Sequence, residues 1–206
     1  MTGIDLSEYL RANYPIDVRS LARRKGVEGA GINDADYMVK CKGRDGVIIC
    51  PAYNSWSNMF KLKRVDATVS HEWLSFMRFR EWWVDNYVDG FVLARGLIDS
   101  DRLTFSSKTC VYVPHRLAFF TNLRKRARGS WPIGVRLNNR NERFDASCSH
   151  PETSKNEYLG SFSSVELAHA AWLARKLEHA YSLKPKMDEI DKRIYPNVCQ
   201  LVTEAE

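Results

Sequence analysis

The 206-residue chain predicts an α+β fold that closes in a three-stranded antiparallel sheet packed on one helix. Two observations carry that prediction. Residues Ile133–Asn138, Arg143–Ser149 and Asn156–Gly160 read as three short strands, the first two alternating apolar with polar side chains, with a polar turn at Asn139–Asn141 and Gly160 closing the third. Directly after them, Ser163 or Ser164 stands as a helix cap before Val165, Ala168, Ala171, Trp172 and Leu177, which recur at helical spacing.

Upstream, the elements follow in order. Asp5–Asn13 predicts a short helix ended by Tyr14-Pro15. Asp17–Lys25 predicts a second, with Val18, Leu21 and Ala22 inward and four basic residues outward. These two helices serve as a packing arm or as a phosphate-contacting arm, and the sequence leaves both open. Gly26–Asp36 reads as loop. Tyr37–Cys41 and Gly46–Cys50 form a hairpin turned at Arg44-Asp45-Gly46. Pro51 opens a helix that runs to Lys61. Val69–Tyr87 reads as one long helix whose Trp73, Phe76, Met77 and Trp83 are core. Phe91–Ile98 and Thr104–Val113 predict two strands about an Asp99-Ser100-Asp101 turn, followed by a helix over Arg116–Arg126. At the far end, Pro185 is expected to start a last helix, Lys186–Tyr195, and Val198–Glu206 to fray.

Composition narrows the classes of function. Net charge is +6, a modest bias toward polyanionic partners, but its placement is uneven. Between Arg124 and Arg143 there are seven Lys or Arg and one acid, Glu142. The five cysteines (41, 50, 110, 148 and 199) form no CxxC and no zinc-finger spacing, which fits a reducing cytoplasm. No apolar run reaches membrane-spanning length, so the expected location is the cytoplasm, at the nucleoid of a bacterial host. No GxSxG, P-loop or HExxH occurs.

A sheet with one face on a helix keeps its other face free. Here that face carries Arg136, Asn138, Arg143 and Tyr158, and a basic, hydrogen-bonding strand face can enter a DNA major groove.

The chain also resembles the HNH homing endonucleases of bacteriophages that carry a C-terminal ethylene-response-factor-type (Apetala-type) DNA-binding domain. The resemblance rests on the order of GINDADY (31–37), CPAYNSWSNMF (50–60), EWLSFMRFREWW (72–83), SSKTCVYVPH (106–115), ARGSWPIGV (127–135) and EYLGSF (157–162). It implies an N-terminal helical arm over 1–30, a degenerate ββα (HNH-like) region over 31–128, and a three-strand-plus-helix DNA-binding domain with a C-terminal helix over 129–206. It further implies that Arg136, Asn138, Arg140, Arg143, Asp145, Ser147 and Tyr158 face the groove of double-stranded DNA. Arg124, Lys125, Arg126 and Arg128 would meet phosphate, which positions a protein without specifying sequence.

Metal-assisted cleavage requires ligands that fix a cation at the scissile phosphate. Where the family reads leucine-aspartate-lysine-aspartate, this chain has Leu93-Ala94-Arg95-Gly96, and Ala118 stands where an asparagine is expected. Ala67 and Ser70 occupy positions where the family often has cysteine. No catalytic residue, metal ligand or cofactor is therefore assigned. The expectation is a sequence-specific DNA-binding protein that has lost cleavage and represses transcription by occupying a promoter, with a homodimer as one assembly the reading allows. Two alternatives stay open. One is an active endonuclease using Asp99, Asp101 and His115. The other is a host-protein-binding module that uses the Trp73–Trp83 helix or the former nuclease surface.

Overall fold

Aromatic side chains decide the first half of the fold. The computed structural model describes residues 2–43, 46–61, 67–123 and 131–205 and is mixed α+β. It divides into two compact units, Met1–Tyr112 and Val113–Glu206. The sequence reading instead places the last boundary at 128/129. The observed division groups the helix after residue 114 with the C-terminal sheet.

In the first unit, α1 (Gly3–Asn13) begins at a capping box in which Thr2 and Asp5 bond each other's backbone N–H. A short α2 (Val18–Ala22) follows, then the hairpin β1 (Lys40–Gly43) and β2 (Gly46–Ile49), and α3 (Pro51–Lys61). A two-residue β3 (Thr68–Val69) pairs in parallel with β5 (Thr104–Phe105). After a 3₁₀ turn at His71–Leu74 comes α4 (Phe76–Asn86). The long helix expected over Val69–Tyr87 is thus broken. Ser75 adopts extended backbone and its hydroxyl accepts the Arg78 N–H, so it caps a new helix rather than continuing an old one.

Trp56, Trp73, Phe76, Phe79 and Trp83 are all but fully buried, with Tyr37, Tyr53 and Phe60 around them. Trp56 packs edge-on to Phe60 at 4.9 Å and donates its indole N–H to the Trp73 carbonyl at 2.7 Å. The arm helix α1 joins this core through Leu10 and Ser7, while α2 buries none of its residues. Two basic residues are structural. Arg24 gathers the carbonyls of Asn33, Ala35 and Tyr37, and buried Arg80 pairs with Glu8 at 2.6 Å.

Next come β4 (Phe91–Arg95) and β6 (Cys110–Pro114), which pair with each other. Both are shorter than the sequence predicts. Gly96 takes φ +67°, and its Cα lies where a Cβ would meet Arg102 at 2.8 Å, so the first strand ends at Arg95. Asp99 and Asp101 then hold the connection by accepting backbone N–H groups.

The second unit opens on α5 (His115–Phe120), followed by β7 (Val135–Asn138), β8 (Arg143–Ser149), β9 (Asn156–Phe162), α6 (Val165–Ile190) and α7 (Ile194–Thr203). The sheet order is β7-β8-β9, antiparallel throughout. Its inner face, built on Val135, Phe144, Ala146 and Phe162, packs with Ala168 and Ala171 of α6.

Three expectations are corrected here. Gly160 does not end the third strand, which runs on to Phe162. Pro185 does not start a helix: α6 passes through it, because Pro185 is exposed while Leu183 and Met187 on either side stay buried. The fraying expected over Val198–Glu206 is not seen from Val198 to Thr203, which are helical in α7, with Val198 and Val202 fully buried and Ile194 with them.

Candidate nucleic-acid interface

Directly opposed residues of an antiparallel pair share a face. In β7–β8 the register sets Arg136 opposite Asp145 and Asn138 opposite Arg143, with Val135–Ala146 and Leu137–Phe144 on the other side. In β8–β9, Asp145 meets Ser161 and Ser147 meets Tyr158. Between those two pairs the ladder slips. Ala146 pairs with Gly160 and Ser147 with Tyr158, so Leu159 is an extra residue on β9, a β-bulge. Gly160 takes φ +128° beside it. The slip turns Tyr158 outward and lets Leu159 join the core-side cluster.

The outer face therefore gathers Arg136, Asn138, Arg143, Asp145 and Ser147, which share it by alternation, and Tyr158, which the bulge turns outward. Arg140 lies exposed in the β7–β8 turn rather than on a strand. Arg124, Lys125, Arg126 and Arg128 lie outside the described residues.

Asp145 is the hub of this face. Its side chain is 12% exposed, against 83% for Arg136. It accepts the Asn138 amide N–H at 3.0 Å and the Tyr158 hydroxyl at 3.4 Å, and stands 3.8 Å from the Arg136 guanidinium. The other end of the Asn138 amide accepts the Arg140 backbone N–H at 3.1 Å. The amide is thus held in one orientation, with one N–H and one lone pair left to offer. Arg143 is anchored differently, donating to the Ser161 carbonyl at 2.9 Å across the sheet. Tyr158 is 66% exposed, a phenol standing on the surface.

Two contributors escaped the sequence reading. Ser161 lies on the same face, but it falls beyond the glycine at which the strand was expected to stop. Asn141 accepts the Arg143 N–H and so fixes the start of β8. Its polar turn setting was the available signal.

The inner side holds a charged cluster as well. Glu157 accepts from Arg175 at 2.8 Å and lies 3.0 Å from the His179 ring. The Arg175 hydrogen bond draws the Glu157 carboxyl down to about 2 from an ordinary 4.5, with His179 assisting. Burial depresses His179 in turn. A lowered carboxylate contributes stability that is complete above its unfolded value and lost as pH falls through its folded one. The Glu157 contribution should therefore be whole above about pH 4.5 and gone near pH 2. In urea melts, the gap between wild type and Glu157→Gln should close over that window; a gap independent of pH would show the pairing to be without effect.

The residues named for the alternative chemistry are occupied elsewhere. The Asp99 carboxylate accepts the Asp101 N–H at 2.8 Å, and that of Asp101 accepts from Leu103 and Thr104. Those turn bonds hold the Asp101 carboxyl below its usual range, led by Thr104. His115 is exposed at the first residue of α5, in the second unit. Among the described residues, no three His, Cys, Asp or Glu side chains converge as a metal site would require. No described helix is long and apolar enough to cross a membrane. Comparison with protein-family models, with curated proteins and with solved structures returns no match.

Proposed function

We propose that the chain binds double-stranded DNA through the outer face of β7–β9, as a catalytically degenerate relative of HNH homing endonucleases that acts by occupying its site. The observation that carries this reading is one exposed strand face bearing Arg136, Asn138, Arg143 and Tyr158 around a single ordered carboxylate. Arginine suits guanine edges and phosphates, and an oriented asparagine amide suits adenine. The opposite face is closed by α6, so only one side can meet a partner.

Occupancy without cleavage is supported by Ala94 and Gly96 at the expected acidic positions and by the turn-forming role of Asp99 and Asp101. A protein sitting on a promoter would block polymerase, which makes the chain a repressor. Burial of Trp73 and Trp83 counts against a host-protein module built on α4.

Footprinting over phage-derived promoter DNA, with and without Mg²⁺ or Mn²⁺, tests the reading. The expected result is a discrete protected site, intact strands in both conditions, and affinity that drops steeply with salt. Uniform, unprotected DNA would end it, and site-specific cleavage abolished by His115→Ala would replace it with the endonuclease reading.

A further inference from the structure

The second unit contains a cavity of about 320 Å³, close to the small end of the range for ligand sites. It lies where β7 stops short of its neighbour. The β7–β8 ladder ends at Val135–Ala146, one further bond joins the Ser147 N–H to the Gly134 carbonyl, and Cys148 and Ser149 then line the open space. The lining includes the cationic residues Lys176 and Arg116 and the apolar residues Trp172, Phe119 and Ile133. No described lining residue is acidic.

Lys176 is the unusual member. It is 7% exposed, midway along α6. Its ammonium donates to the Phe120 carbonyl at 2.8 Å and rests 3.6 Å from the centre of the Phe120 ring. An ammonium has three donors, and among the described residues only this one is matched. No carboxylate of the described residues pairs with it, and Glu157 is engaged by Arg175 and His179. A buried cation without a counter-charge is costly unless something supplies one. Burial accordingly lowers the Lys176 amine to about 8.

We propose that this cavity is a binding site for a small organic anion, a carboxylate with a flat apolar body, whose charge meets Lys176 and whose body lies among Trp172, Phe119 and Ile133. The inference stands on the second unit alone and does not depend on the DNA reading. Arg116 is a second cationic residue of the lining, and one of its guanidinium nitrogens donates to the Glu152 carbonyl.

Benzoate is the probe, titrated into the full chain by calorimetry, with acetate and inorganic phosphate alongside. Saturable benzoate binding is expected, with acetate and phosphate at least about tenfold weaker, and a loss of about tenfold or more in Lys176→Met, as removal of one charged hydrogen bond implies. Methionine matches the lysine stem and removes a buried charge, so the variant should stay folded. An independent readout needs no variant: in protein with carbon-13-labelled lysine, the Lys176 Cε resonance should move with benzoate and saturate with the calorimetric curve. Absence of saturable binding, equal binding in Lys176→Met, or an unmoved Lys176 resonance would overturn the proposal. Phosphate binding as tightly as benzoate would also overturn it, reducing the cavity to a simple charge trap.

Discussion

Replacing Gly134 with alanine is expected to destabilise the second unit by about 2–5 kcal/mol. Gly134 sits at φ +79°, a conformation that disfavours any L side chain by about 1–2 kcal/mol. A Cβ there would fall 2.1 Å from Trp172 Cδ1, 2.2 Å from Cγ and 2.8 Å from Cβ. Those atoms are the root of the indole, not a flexible tip, and the ring is stacked on His169 at 5.3 Å. His169 in turn is 3.2 Å from the Ile133 carbonyl. Overpacking of this kind adds about 1–3 kcal/mol. Displacing Gly134 would also disturb its carbonyl, which accepts the Ser147 N–H at 2.9 Å. A urea or thermal melt with the wild-type midpoint would refute the account of how β7 is seated on α6.

The second large effect concerns Arg136 and Arg143. On the DNA reading, alanine at either position should weaken specific binding by about 1–3 kcal/mol. The two differ in what they leave behind. Arg136 is almost wholly in solvent, so Arg136→Ala should keep the wild-type melting point and lower affinity alone. Arg143 ties β8 to β9 through the Ser161 carbonyl, so Arg143→Ala should carry a small stability loss as well. Where a lost contact is to phosphate, the salt slope should fall by about one. Electrophoretic mobility shifts over a range of salt would measure all of this. Unchanged affinity in both variants would move the binding surface away from the sheet, with exposed Arg19 of α2 and Arg23 and Lys25 just after it as the next place to look.

How much of this could be read from the chain depended on whether the local signal met a competing tertiary one. β8 is observed as Arg143–Ser149, the bounds expected, because seven residues alternate without interruption and one face is buried. Pro51 fixed the start of α3 for an equally local reason. The failures share a cause. Ser75, Gly160 and Pro185 each carry a local preference that a distant contact redirects. Asp34, forty residues upstream in the sequence, accepts from Ser75 and from the Met77 N–H, and so helps set where α4 begins. Pro185 forfeits one helical bond on an exposed side, while buried Leu183 and Met187 keep the helix in place. Within the candidate interface, alternation identified the outward residues. It could not tell that Asp145 would organise them, because that role depends on cross-strand neighbours.

The bulge at Leu159 has a consequence for how this surface could change over time. On either side of it, β9 obeys opposite parities: Ser161 looks outward at an odd position and Tyr158 at an even one. Losing Leu159 would leave the backbone ladder and both faces as they are, because the bulge already absorbs that residue. Drawing Leu159 into a regular ladder with no residue lost would instead exchange the roles of Tyr158 and Glu157, presenting a carboxylate outward and turning a phenol toward Arg175 and His179. Point substitutions at Arg136 or Asn138 adjust the surface one contact at a time. A one-residue slip of the ladder that takes up the bulge at Leu159 would bring a negative charge to one of its corners in a single event, so the strand carries a frame as well as a sequence.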